Sequence, residues 1–205
     1  MSAAHTETEI KLWAADLAAI AARLNALGAT LLQPRMAERN LRYDRPDGSL
    51  GAHGEVLRLR QDSRARLTFK APYSAAPHVR TELEIEVSDF ATADQLLQAL
   101  GFQVVWRYEK FRTTYALDGC EVVLDELPFG DFIEVEGDSL AAIEALIARL
   151  EMADAPRFAQ SYSELFFKLR ERLQLPFRDL TFENFRLLER SALADVLLKE
   201  AEPRS

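Results

Sequence analysis

Apolar and polar residues alternate in eight short runs along the chain, and each run reads as a strand with one apolar and one charged side. The runs extend from Thr6 to Leu12, Asn40 to Asp44, Glu55 to Arg60, Arg66 to Lys70, Val79 to Val87, Val104 to Tyr115, Cys120 to Asp125 and Asp131 to Glu136. Turn-forming residues separate several of them: Pro46-Asp47-Gly48, Asp62-Ser63, Pro72 with Pro77, Asp118-Gly119, and Pro128 with Gly130. Such short links favour antiparallel neighbours. Helical spacing appears from Ala14 to Leu27 before Gly28, from Thr92 to Leu100 before Gly101, and from Leu140 to Leu150 behind the cap candidates Asp138 and Ser139. Two further helical stretches run from Tyr162 to Leu173 and from Phe182 to Lys199. Because a run of strands lies between the first two helices, the pattern predicts an α+β fold around an antiparallel sheet. The pattern changes at Leu175-Pro176, which sets the expected domain at 5–174 and a helical extension at 175–205.

The chain has 205 residues, 48% of them hydrophobic and 28% charged, enough for a core and too balanced for a disordered chain. No apolar run approaches the roughly 18 residues of a membrane-spanning helix. The residues before Thr6 lack the basic and apolar regions of an export signal, so a cytoplasmic location is expected. Cys120 is the single cysteine and can form no internal disulfide; it reads as a small residue at a strand start. With 25 basic and 33 acidic side chains the net charge is −8, which argues against general binding of nucleic acid or anionic membrane. The placement of the charges carries more information than their sum.

Residues of one parity share a strand face. Glu7, Glu9 and Lys11 oppose Thr8, Ile10 and Leu12; Arg58 and Arg60 oppose Leu57 and Leu59; Thr68 and Lys70 oppose Leu67 and Phe69. Arg80, Glu82, Glu84 and Glu86 oppose Leu83, Ile85 and Val87, and Glu134 and Glu136 oppose Ile133 and Val135. Tyr108, Lys110 and Arg112 share a side against Phe111 and Tyr115, although Arg107 interrupts the apolar one. Like charges recur along a strand at roughly 7 Å, which is costly without counter-ions. Hard divalent cations on the carboxylates and an anion on the Lys and Arg groups relieve that cost together. Closing eight strands into a barrel would gather both sets around one polar lumen, with helices covering the apolar outside. So many convergent cations suit a polyphosphate better than a single carboxylate. Only Tyr108 and Phe132 offer aromatic surface to such a lumen, leaving weak handles for a base.

At this point the chain resembles the CYTH domain of the triphosphate tunnel metalloenzymes, a family that includes class IV adenylyl cyclases, thiamine triphosphatases and inorganic triphosphatases. The resemblance rests on an ordered set: Glu7-Thr8-Glu9-Ile10-Lys11, Leu57-Arg58-Leu59-Arg60, Leu67-Thr68-Phe69-Lys70, the alternating Arg80, Glu82, Glu84, Glu86 run, Lys110-x-Arg112, Leu124-Asp125, and Gly130-x-Phe132-x-Glu134-x-Glu136. It covers roughly 5–172, ending at Ser161-Tyr162-Ser163-Glu164-Leu165. The resemblance implies an eight-stranded antiparallel closed barrel. It implies that Glu7, Glu9, Glu134 and Glu136 bind two divalent ions, Mg²⁺ or Mn²⁺, and that Lys11, Arg58, Arg60, Lys70, Lys110 and Arg112 hold a triphosphate. Glu84, Glu86 and Asp125 would orient the second metal, its waters or neighbouring cations, with Glu82 doing the same or sitting at the rim. Arg80 also joins the substrate set, with a structural ion pair as its alternative, and for Lys168 a solvated helix position is the competing reading. The segment Leu127-Pro128-Phe129 departs from the usual Leu-Gly spacing before Gly-x-Phe.

The chemistry so implied is in-line phosphoryl transfer with two metals, in which catalysis is mainly electrostatic. No covalent nucleophile is required, in keeping with His5, His53 and His78 lying scattered near turns and strand ends. Hydrolysis of an inorganic or organic triphosphate is the first expectation. Cyclisation of ATP to cyclic AMP and pyrophosphate is the second, since no His-Phe signature precedes the first motif. A non-catalytic nucleotide or polyphosphate binder is the third. The extension's Phe177, Phe182 and Phe185 suggest packing on the domain or against a second copy in a homodimer.

Overall fold

The computed structural model describes residues 8–72 and 80–202, with the side chain of Arg80 left out. Thr6, Glu7, Val79 and the histidines His5 and His78 therefore lie outside the described residues. Eight strands form one antiparallel sheet in the order β1-β8-β7-β6-β2-β3-β4-β5. They are β1 (Thr8–Trp13), β2 (Thr30–Asp44), β3 (Val56–Gln61), β4 (Ala65–Pro72), β5 (Arg80–Val87), β6 (Gln103–Leu117), β7 (Cys120–Leu127) and β8 (Gly130–Gly137). The pairing describes a sheet with β1 and β5 as its ends, so closure into a cylinder is not part of what the ladder shows. The helices are α1 (Leu17–Ala26), α2 (Ser49–Ala52), α3 (Phe90–Ala99), α4 (Leu140–Arg149), α5 (Tyr162–Leu173), α6 (Phe182–Phe185) and α7 (Arg190–Leu197). None of the helices is long and apolar enough to cross a membrane among the described residues. The chain divides into two compact units, one of 37–109 and one of 8–36 with 110–202 among the described residues, and the divisions fall inside the long strands β2 and β6.

In the larger unit, the apolar side of β1, β7 and β8 contributes Leu12, Val122, Leu124, Ile133 and Val135 to the core. Two helices cover it. Asp16 caps α1 by accepting from the Ala19 backbone N–H at 3.0 Å, and the helix buries Ile20 and Leu24. Ser139, one of the two cap candidates, accepts from the Ala142 N–H at 3.2 Å, and α4 buries Ile143, Leu146 and Ile147 at helical spacing. Each such side chain contributes roughly 1.5–3 kcal/mol by leaving water.

An aromatic cluster surrounds Phe132, which lies edge-on to Trp13 at 5.2 Å, Phe129 at 5.8 Å, Phe158 at 5.6 Å and Tyr162 at 5.2 Å. The C-terminal residues join this cluster, with Phe185 packed against Phe129, Phe166 and Phe177, and Phe182 against Phe111. The single helix expected from Phe182 to Lys199 is instead two short ones. The Leu188 N–H closes a turn on the Phe185 carbonyl at 2.9 Å, and Arg190 then clamps Asp131 at 3.0 Å and the Leu127 carbonyl at 2.7 Å. Gly130 matters here because a Cβ on it would stand 2.4 Å from two Trp13 ring carbons. Gly130→Ala is therefore expected to displace Trp13 and cost roughly 1–3 kcal/mol. Urea unfolding checks it, and an unchanged midpoint would show that the ring is not tightly seated.

In the smaller unit, Tyr43, Leu50, Leu57, Leu59 and Leu97 form the core. The Tyr43 hydroxyl donates to Asp94 of α3 at 2.8 Å. Asp44 organises the single turn of α2 by accepting from the Leu50 and Gly51 backbone N–H groups at 2.9 and 3.0 Å. The helices around the sheet do not reach its β5 end. Leu83 and Ile85 on β5 remain 62% and 60% exposed, because β5 ends the strand order and α3 packs over β3.

Candidate phosphate and metal site

The register sets the site in the larger unit. Lys11 stands opposite Glu134 and Glu9 opposite Glu136 across β1 and β8; Val123 faces Glu134 across β7 and β8, and Asp125 faces Arg112 across β6 and β7. Lys11, Glu134, Asp125 and Arg112 therefore share one face, and Lys110, two residues from Arg112, joins them. Asp125 is fully buried and accepts from Lys110 Nζ at 3.1 Å and Arg112 Nε at 2.8 Å. A second Arg112 nitrogen reaches Glu134 at 2.9 Å, and Glu134 also lies 3.4 Å from Lys11 Nζ. Lys11 donates to the Gln160 backbone carbonyl at 3.1 Å. The result is an alternating chain of contacts, Lys110, Asp125, Arg112, Glu134 and Lys11, at the edge of an apolar core.

Burial alone would push the Asp125 carboxyl up. The adjacent Lys110 charge and then the Arg112 guanidinium outweigh it and hold the pKa down to about 2, from 3.8. A depressed carboxylate stabilises the fold fully above its unfolded pKa and loses that contribution as pH falls through the folded value. Wild-type stability is thus expected to fall between about pH 4 and pH 2 from this group. An Asp125→Asn variant should show a flatter response in urea melts over that window; identical slopes would mean the carboxylate is not depressed.

The face of the smaller unit is also charged. Arg58 is paired in register with Arg42 and Thr68, and Arg60 with Asn40 and Arg66. Arg60 meets Glu38 at 3.7 Å, and Asn40 donates to the same carboxylate at 2.9 Å. The buried Nε groups of Arg58 and Arg66 have no hydrogen-bond partner among the described residues. Unsatisfied buried donors of this kind are costly and suit an oxygen-rich anion. Lys70 pairs with Glu82 at 2.7 Å, and Thr68 donates to Glu84 at 2.7 Å. Glu86 meets Arg64 at 3.4 Å with both side chains more than half exposed. Lys168 pairs with Glu200 at 2.7 Å on the surface of the larger unit.

Among the described residues no three His, Cys, Asp or Glu side chains gather as a ready metal cluster, and Glu7 lies outside them. The donor chemistry nevertheless fits a hard cation. Glu136 is flanked in register by Glu9 on one side and Glu121 on the other, which places like charges across neighbouring strands. Such a row of carboxylate oxygens suits a divalent ion that keeps several waters and takes only one or two carboxylates from the protein.

Several members of these faces are not singled out by the motifs. Glu38, Asn40 and Arg42 follow the same alternation, yet the expected strand begins only at Asn40, whereas β2 starts at Thr30. Arg66 shares parity with Thr68 and Lys70. Trp106 stacks on Tyr108 at 4.5 Å, with Arg42 above it at 5.9 Å. Tyr162 is carried by α5, whose first turn is closed by a capping box between Ser161 and Glu164.

A CYTH domain family model matches residues 5–169. The adenylate cyclase CyaB of Aeromonas hydrophila is 28% identical over 172 residues, covering 78% of this chain and 87% of that protein. A solved structure from Vibrio parahaemolyticus superposes with a TM-score of 0.65 at 21% identity, covering 78% of this chain and 97% of the other. A Hippeastrum protein, described as a candidate adenylyl cyclase with a dominant triphosphatase activity, superposes with a TM-score of 0.57 at 20% identity, covering 79% of this chain and 95% of the other. At these identities the two structures speak for the fold.

Proposed function

Given that the chain belongs to the CYTH domain family, we propose that it hydrolyses an inorganic or organic triphosphate with the help of two divalent ions, Mg²⁺ or Mn²⁺. The observation that carries this reading is the unbroken contact chain in which Lys110 and Arg112 converge on buried Asp125, and Arg112 and Lys11 converge on Glu134. Cations so held keep their direction, and a carboxylate beside them would supply an oxygen donor for a metal-bound phosphate. Lys11, Lys110 and Arg112 then take phosphate oxygens in the larger unit, and Arg58, Arg60, Lys70 and Arg80 are the phosphate-binding candidates of the smaller one. Glu9, Glu134 and Glu136, with Glu7, hold the metal. When bound, the ions neutralise phosphate charge and acidify water. Asp125 fixes Lys110 and Arg112, while Glu82, Glu84 and Glu86 balance the cations of β4 and its flank.

The second reading, cyclisation of ATP, is favoured by Tyr108, a partly exposed ring backed by the buried Trp106 at 4.5 Å, which offers one aromatic face to a base. Purified protein incubated with Mg²⁺ or Mn²⁺ and, separately, tripolyphosphate, thiamine triphosphate and ATP distinguishes the readings. Orthophosphate release supports hydrolysis, cyclic AMP with pyrophosphate supports the cyclase, and tight binding without turnover supports a binding module. Absence of both turnover and binding overturns all three.

A further inference from the structure

We infer that Tyr162 is a positioning residue for the phosphate-binding lysines, its ring forming one wall of the seat that holds both the Lys11 and the Lys110 ammonium groups. The inference rests on the triphosphate reading above. Lys11 Nζ lies 4.7 Å and Lys110 Nζ 5.5 Å from the centroid of this one ring. Two ammonium groups brought near the same point repel each other, whereas the electron-rich face of an aromatic ring attracts both. Each lysine also has a carboxylate within reach, Glu134 for Lys11 and Asp125 for Lys110. Without the ring, each ammonium would settle wholly onto its carboxylate. A phosphate would then have to pull it away, and apparent affinity would fall with the fraction of lysines in the competent position.

The ring is held in two ways. The Ser161 side chain accepts from the Glu164 N–H while Glu164 returns a bond to the Ser161 N–H at 2.7 Å, which sets the first turn of α5 and so the direction of Tyr162. Phe132 packs edge-on to the ring at 5.2 Å. The hydroxyl oxygen is buried and makes no hydrogen bond of good geometry among the described residues. Burial first, then the charges of Asp125 and Glu134, push the phenol well above its ordinary range. Tyr162 thus remains neutral and acts through its ring rather than as a competing anion.

Electronic tuning of the ring tests the idea without altering its shape. Tyr162→Phe is made first, followed by phenylalanines at position 162 carrying one, two and three ring fluorines. Binding of metal-free tripolyphosphate is measured by calorimetry and the fold by thermal melting. The phenylalanine variant should bind within about two-fold of wild type, and affinity should then fall stepwise, by roughly ten-fold across the fluorinated series, at a constant melting temperature. The ε-methylene resonances of Lys11 and Lys110 should lose their ring-current shift in Tyr162→Leu. Flat affinity across the series, or full loss already in Tyr162→Phe, overturns the ring's role while leaving the triphosphate reading intact. Failure of the wild-type protein to bind tripolyphosphate, with or without Mg²⁺, removes both.

Discussion

Glu134→Gln is expected to reduce metal-dependent triphosphate turnover by at least roughly 10²-fold while leaving the protein folded. Glutamine keeps the side chain's size and one carbonyl oxygen but removes the charge that would face a divalent ion. The structural cost is small because both cations around Glu134 have other partners: Arg112 keeps Asp125 at 2.8 Å and Lys11 keeps the Gln160 carbonyl at 3.1 Å. A loss confined to turnover, with an unchanged melting temperature, is the predicted signature. Wild-type turnover in the variant would exclude Glu134 from the chemistry, and a parallel collapse of the fold would make it a structural residue.

Asp125→Ala is expected to act in the opposite way, first on stability. It strips the counter-charge from Lys110, which is buried, and from Arg112, which is largely so. Removing one partner from a buried ion pair typically costs about 3–5 kcal/mol, because the remaining charge stays desolvated. For a chain of this length that corresponds to a fall in melting temperature of roughly 10 °C. Adding Lys110→Met to Asp125→Ala should recover part of the loss, since the orphaned charge goes with it. Strict additivity of the two substitutions would show that the pair is not coupled.

The strands of the charged sheet were legible because alternation reports burial on one side, and most expected runs lie within a residue or two of the observed strands. The long β2 was not legible in full. Pro34 breaks its donor pattern and Leu31 and Leu32 show no alternation, so only the stretch from Asn40 onward reads as a strand. Helix α5 was legible from its helical spacing, Tyr162 to Leu173, and the structure ends it locally, with a capping box at Ser161 and a left-handed Gln174 at φ +51°. In the candidate site, parity places Lys110, Arg112, Asp125 and Glu134 on strand faces, but it cannot say which carboxylate each cation takes. That depends on register, here Arg112 opposite Asp125 and Lys11 opposite Glu134. Tyr162 was out of reach for another reason. It comes from a helix 37 residues beyond Asp125, and no strand pattern points to it.

The end strand β5 has an implication for how the protein behaves in concentrated solution. Among the described residues it has a strand neighbour on one side only and leaves the side chains of Leu83 and Ile85 uncovered, a surface on which a second molecule could dock strand to strand. Glu82, Glu84 and Glu86 on the same strand repel their counterparts in any such encounter. The carboxylates that pair with Lys70 and Arg64 on this face thereby also guard against self-association.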